Sequence, residues 1–377
     1  MRALTAFVAI VLACSFDVAG AQESSPVATY FQQYRQALES GDLAGAEAAA
    51  SAALEASRSI DGEGGSTGVL ALNLARVRAQ LGQWQEARAP AEQAYALSRR
   101  GGAAGLDPAM SELLWGRVRL ATEGFRGSAF LSNALERYEE RADLLGDRYD
   151  AAAQLGLWAM QTHNYVIARG AWSRAADTAQ GAPFDQNYAL GQARAYEGMA
   201  IALQSITREI RMSPIVARQV RERLREAHEL IRPFAFSDSA ELTAPQELFA
   251  QILAWDGVVW SKMASENPGR EDDPTLDSDP IGSPNAPFCV ARRIDGDRPF
   301  YPAQQLLEGQ ISAVVLRLRF DEHGSYLGAT VAAAVGHEDL ERNATAAVAT
   351  WRYATQVEGG CRVLPIQYTR VVFAFRD

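Results

Sequence analysis

Gly64-Gly65-Ser66-Thr67-Gly68 has the form of a nucleophile motif, G-x-S-x-G. That pattern works when a strand delivers the serine to the top of a sheet and a helix carries the chain away. Helical periodicity is expected on both sides of Ser66, so the stretch reads as a loop between helices. Glu63-Gly64-Gly65 lacks the Lys-Ser or Lys-Thr that completes a phosphate loop. Four histidines occur, His163, His228, His323 and His337, and no two have metal-ligand spacing. Paired carboxylates such as Glu139-Glu140 fall on expected helices and face solvent. No catalytic, cofactor-binding or metal-binding residue is assigned, and no enzyme is expected. An enzyme with an unread site is the rival, and loss of an envelope activity in Ser66→Ala would support it.

The cysteines matter through compartment. Met1-Arg2 followed by the apolar run Ala3 to Ala13 has the form of an export signal, with Ala19-Gly20-Ala21 as the cleavage pattern and Gln22 as the mature start. A second reading uses Val11-Leu12-Ala13-Cys14 as a lipoprotein cleavage site, which makes Cys14 the lipidated first residue. The apolar run is short for a membrane span, and no later stretch is a candidate. The expected location is the periplasm, with anchoring through Cys14 as the alternative. Removal of the signal leaves Cys289 and Cys361, an even pair in an oxidising compartment. A bridge between them would close a loop of about seventy residues, worth roughly 4 kcal/mol in the chain-entropy view. Two free buried thiols are the alternative.

Behind these residues stand 377 positions, 48% of them hydrophobic, enough for two or three domains with real cores. The net charge of -10 argues against a nucleic-acid partner, which needs clustered Lys and Arg. From about Val27 to Met263 the chain reads as helix after helix. Gly41, Ala46 and Ala53 stand at offsets of five and seven; Gly82, Ala87 and Ala94 repeat them, and so do His163, Ala168 and Ala175. Trp84 and Tyr165 follow the turn in two of the copies. Small residues of this kind let paired helices approach closely, as in a helical hairpin repeat. The offsets resemble the tetratricopeptide repeat, with Leu72 to Leu97 as the clearest copy. Leu113 to Tyr138 and Tyr188 to Phe234 are helical but match it poorly, so the array is irregular. A generic α-helical domain is the alternative. Asn73, Arg76 and Gln80 on the first helix of the clear copy are candidates to line a groove, or else are solvated.

Glu266 to Pro287 carries five prolines together with Glu271, Asp272, Asp273, Asp277 and Asp279, and is expected to be a self-repelling linker. After it the period changes. Val314, Leu316, Leu318 and Phe320 alternate with Arg317 and Arg319 as in a half-buried strand running from Ile311. Asp321 to Ser325 is a turn with Gly324 available for positive φ, and a second strand runs from Tyr326 to Val335. Leu340, Ala344, Ala347, Val348 and Trp351 form a helical stripe between about Asp339 and Tyr353, with Asp339 placed to cap it. A third strand runs from about Pro365 to Phe375.

Tyr301-Pro302-Ala303, Glu308-Gly309-Gln310-Ile311, Trp351-Arg352-Tyr353 and the closing Val371-Val372-Phe373-Ala374-Phe375 together resemble the C-terminal domain of TonB-family proteins. The resemblance covers roughly a fifth of the chain. It departs from the family at Ala354-Thr355-Gln356, where a proline commonly follows the aromatic. The expected whole is multidomain: signal peptide 1–21, an all-α tetratricopeptide-like domain 22–265, an acidic Pro-rich linker 266–297, and a small α+β unit 298–377 of order β-β-α-β with an antiparallel sheet.

The resemblance implies recognition: a segment of an outer-membrane receptor adds as a strand to the sheet. The closing strand is then the edge, with Ile366, Tyr368, Arg370, Val371 and Phe373 as partner-binding candidates; an edge without a partner, or one paired with its own copy in a homodimer, is the alternative. Trp351 and Tyr353 are expected to be core. The leading reading is a non-enzymatic periplasmic adaptor for envelope proteins, using both the repeats and the sheet edge. Its rival is a component of energised outer-membrane transport that borrows a membrane anchor from another subunit, because this chain lacks the anchor and the long Pro-rich span of an energy transducer.

Overall fold

A computed structural model describes residues 25–62, 64–100, 105–181, 186–207, 212–236, 241–266, 293–308, 310–321, 325–353 and 365–374. Two units emerge, one from residues 1–162 and 177–184, the other from 163–176 and 185–377. The export signal, the acidic stretch 267–292, Cys14, Cys289, Cys361, His323 and Gly324 lie outside the described residues.

The first unit stacks helical hairpins: α1 (Pro26–Ser40) with α2 (Leu43–Asp61), α3 (Gly65–Gln80) with α4 (Trp84–Arg99), and α5 (Pro108–Glu123) with α6 (Phe125–Arg137), followed by α7 (Leu145–Gln161). The turns explain the spacing read from the sequence. Gly41 and Gly82 sit at φ 76° and 73°, and His163, their counterpart in the third copy, sits at 58°. The hairpin turns at Gly41 and Gly82 need a left-handed residue, and His163 takes the same backbone conformation at a steric cost that glycine avoids. All six alanines at the paired offsets are fully buried. Ala46, Ala53, Ala87 and Ala94 allow close helix approach, around a core of Leu54, Leu74, Val77, Leu97 and Trp115. The poorly matching stretch Leu113–Tyr138 makes the same hairpin with glycines as its small residues. A Cβ on Gly127 would fall 2.2 Å from the Leu120 backbone nitrogen.

The second unit holds most of α8 (Tyr165–Ala179), then α9 (Gln186–Thr207), α10 (Pro214–Ala235), α11 (Ala244–Glu266) and the C-terminal sheet. Helices α10 and α11 share this unit with the sheet. The sheet is antiparallel, in the order β3 (Tyr326–Val335), β2 (Ser312–Phe320), β5 (Ile366–Phe373). A two-stranded pair joins β1 (Arg293–Asp295) to β4 (Arg352–Tyr353), and the short α12 (Ala303–Leu307) precedes β2.

Helix α13 (Glu338–Ala349) covers one sheet face, with Leu340, Ala344, Val348 and Trp351 packed on Val314, Leu316, Leu318, Phe320, Val371 and Phe373. Helix α11 covers the other. It is apolar nearly all round, which a helix tolerates only inside a core. Two expectations change as a result. Strand β2 is buried on both faces, and Arg317, expected to face solvent, is 1% exposed. The α13 cap is His337, whose ring accepts from the Asp339 N–H at 3.2 Å, and the helix ends at Ala349 with the chain turning into β4.

Candidate partner-binding edge

Strand β5 pairs with β2 from Ser312↔Phe373 to Arg319↔Ile366 without a register shift. Strand β3, at the other edge, shifts register twice, between Val315 and Leu316 and between Arg319 and Phe320 of its partner. Bulges twist an edge away from would-be partners, so β3 is blunted and β5 is not.

The five side chains proposed at this edge have other work. Val371 and Phe373 lie under α13, and the Tyr301 ring meets Phe373 at 5.5 Å. Ile366 and Tyr368 are buried as well. Tyr368 Oη donates to the Ala235 carbonyl at 3.0 Å, at the end of α10, and its ring lies 5.2 Å from Phe249 and 5.7 Å from Phe236. Burial pushes the Tyr368 phenol well above its ordinary value. Arg370, half-buried, donates to the Leu253 carbonyl at 2.9 Å and to Asp256 Oδ2 at 3.1 Å. What β5 offers a partner is therefore its main chain, together with Val372, which is 37% exposed.

Asp256 was not legible as a site residue. It is fully buried on α11 and receives Arg370 from the sheet and Arg221 Nε from α10 at 3.0 Å, so one carboxylate joins three elements. Arg221 also lies over the Trp260 ring at 5.1 Å. The available signal was a lone acid in the apolar run Ile252-Leu253-Ala254-Trp255-Asp256-Gly257-Val258-Val259, since a buried charge requires partners. Beside it His228, 4% exposed, stacks on Phe249 at 5.0 Å, and burial pulls its imidazole down.

In the first unit Asn73, Arg76 and Gln80 fall half-buried on one side of α3. Arg76 pairs with Asp147 at 2.9 Å, and nearby Arg117 holds Gln154 at 2.9 Å and Asp150 at 3.5 Å. Burial pushes the Asp150 carboxyl up, with Arg117 opposing. This face already neutralises its own charges. Ser66 sits in the first turn of α3 behind another helix, without the strand a nucleophile elbow needs. Glu139 and Glu140 are exposed. Among the described residues, no group of three His, Cys, Asp or Glu converges as metal ligands, and no helix is long and apolar enough to cross a membrane.

Residues 297–375 match the Gram-negative bacterial TonB protein C-terminal family. This TonB C-terminal segment begins just after β1 and ends with β5. Among solved structures the chain is similar to nearly identical TPR-like repeats from Podosopora anserina, at 14% identity over 57% of this chain and all of that one, with a TM-score of 0.42; a singly substituted form of the same repeats gives 13%, 58% and 0.42. No curated protein matches the chain. The array of helical hairpins, with its left-handed turns and buried alanines, precedes the segment that matches the TonB C-terminal family.

Proposed function

We propose that the protein is a non-enzymatic adaptor of the Gram-negative envelope, exported to the periplasm, that captures an extended segment of an outer-membrane receptor on β5. The observation that carries this reading is the unbroken register of β5 at an edge, opposite a β3 edge broken by two bulges. The partner adds as a fourth strand and gains main-chain hydrogen bonds there. The TonB C-terminal match supports the same mode of contact and the envelope setting. The helical repeats hold a second protein, as stacked hairpins present one continuous face.

The test places a photo-crosslinking side chain at Val372 beside β5, and in a separate protein at Leu327 on β3, in cells. Mass spectrometry of the adducts is expected to find a receptor segment at Val372 and none at Leu327. Equal capture at both positions, or at Leu327 alone, would defeat edge pairing on β5. The transport reading, with an anchor borrowed from another subunit, keeps the TonB match as its support. It requires that deletion of the gene lower uptake of a large nutrient across the outer membrane.

A further inference from the structure

Four helices of the second unit bring aromatic side chains together away from β5. The Tyr196 ring of α9 stacks on Trp172 of α8 at 4.7 Å and 18°, and Tyr188 of α9 meets Phe234 of α10 edge-on at 5.4 Å. Glu247 stands in the first turn of α11, which packs on α9. Burial pushes the Tyr196 phenol up to about 12, and Tyr188 and Glu247 push it the same way, so both lie within electrostatic reach of that ring. Trp172 is fully buried, whereas Tyr188, Tyr196, Phe234 and Glu247 each keep part of their surface in solvent. The polar groups here lack counterparts. Glu247 makes no side-chain ion pair or hydrogen bond with any described residue. Thr243 Oγ1, one turn before it, and Trp172 Nε1 are buried without a hydrogen-bond partner. The arginines of α9 and α10 that could have served Glu247 are engaged by other acids, Arg194 by Glu197 and Glu226, Arg223 by Glu197, and Arg221 by Asp256.

We infer that this cluster binds an alkylammonium cation: Glu247 supplies the countercharge, Thr243 Oγ1 accepts an ammonium N–H, and the rings of Tyr188 and Tyr196 cover the carbon chain. A cation is attracted to the electron-rich face of an aromatic ring, and the attraction grows as water is excluded. A hydroxyl oxygen has lone pairs to spare for an N–H donor, and a bond from a charged donor to a carboxylate is among the stronger ones. The start of α11 carries about half a positive charge, which the full charge of the carboxylate outweighs. A neutral ligand of the same shape would shelter Glu247 from water and give it nothing in return. The same ammonium group ends a lysine side chain and a free aliphatic amine.

The experiment follows fluorine NMR of the full mature chain labelled with fluorotryptophan, the Trp172 resonance being assigned through Trp172→Phe. The probes are n-butylammonium, its uncharged analogue n-pentanol, and Nα-acetyl-lysine methylamide. Butylammonium is expected to shift the Trp172 resonance saturably and to bind roughly tenfold tighter than n-pentanol, with the advantage shrinking as salt rises. Glu247→Gln should remove that advantage and leave thermal unfolding close to that of the wild type, because the carboxylate gives up no partner. Tighter binding of the lysine derivative than of butylammonium assigns the cation to a protein chain, and the reverse order assigns it to a free amine. Equal affinity for butylammonium and n-pentanol overturns recognition of the charge. A Trp172 resonance that answers neither ammonium probe, or an advantage that survives Glu247→Gln, overturns the site.

Discussion

The two faces of the C-terminal sheet are built on opposite principles. Under α13 lie aliphatic and aromatic side chains, Leu316, Phe320, Leu340 and Val348 among them, joined by contact alone. Under α10 and α11 lie Tyr368, Arg370, Asp256 and Arg221, joined by directed hydrogen bonds and charge. The apolar face uses residues inside the TonB C-terminal match. The polar face also uses α10 and α11, helices that precede that match. An apolar contact tolerates small shifts; a carboxylate shared by two guanidinium groups does not, and it fixes β5 in position.

The sharpest way to break that comparison is Asp256→Ala. It removes the buried carboxylate that Arg221 and Arg370 share, and loss of one member of such a group costs about 3–5 kcal/mol. Chemical denaturation of the second unit reads it. Replacing the whole group by apolar residues, Arg221→Met/Asp256→Leu/Arg370→Met, should recover most of the loss, because desolvation disappears with the charges. If Asp256→Ala is neutral, the polar face holds nothing together.

On the apolar face the matching change is Leu316→Ala, at a fully buried position central in β2. Transfer and cavity terms predict a loss of about 3 kcal/mol by the same denaturation. The comparison then becomes quantitative: one charge on the polar face should matter at least as much as one core leucine on the other.

Much of the apolar face was legible, and little of the polar one. Alternation at Val314, Leu316, Leu318 and Phe320 and the Leu340–Val348 stripe gave strand and helix, since both patterns are local. The same alternation put Arg317 in solvent, because a strand cannot report a helix that arrives from some sixty residues earlier. In the array, repeat spacing located the turns at Gly41, Gly82 and His163 even though the third is not glycine. The hairpin of α5 and α6 escaped that spacing because its close contacts are made by Gly116 and Gly127. As for the candidate edge, its place at β5 was legible, while the burial of its side chains and the role of Asp256 depend on tertiary partners.

A smaller effect is expected at Tyr368→Phe. The ring stays in place between Phe249 and Phe236, and the hydrogen bond to Ala235 is lost, about 1 kcal/mol. Partner affinity should be almost unchanged, since β5 offers its main chain. A large affinity loss in Tyr368→Phe would mean that the polar face reads the partner directly and that the two faces do not divide structure from recognition.

The smallest effect belongs to pH. Burial holds the His228 imidazole below its ordinary value, and the hydrogen bond with Glu229 offsets part of that. The unfolded chain therefore takes up the proton first on acidification. The stabilisation is complete above the ordinary histidine value, falls as the pH drops through the folded value, and then levels off. Comparing unfolding free energies of the wild type and His228→Gln between neutral and mildly acidic pH isolates this group from carboxylates that titrate lower. The wild type should lose the more stability on acidification. A difference of opposite sign would mean that His228 is charged in the folded protein, with Glu229 outweighing the aromatic wall of Phe249; the polar face would then contain one more ion pair and no buried neutral histidine.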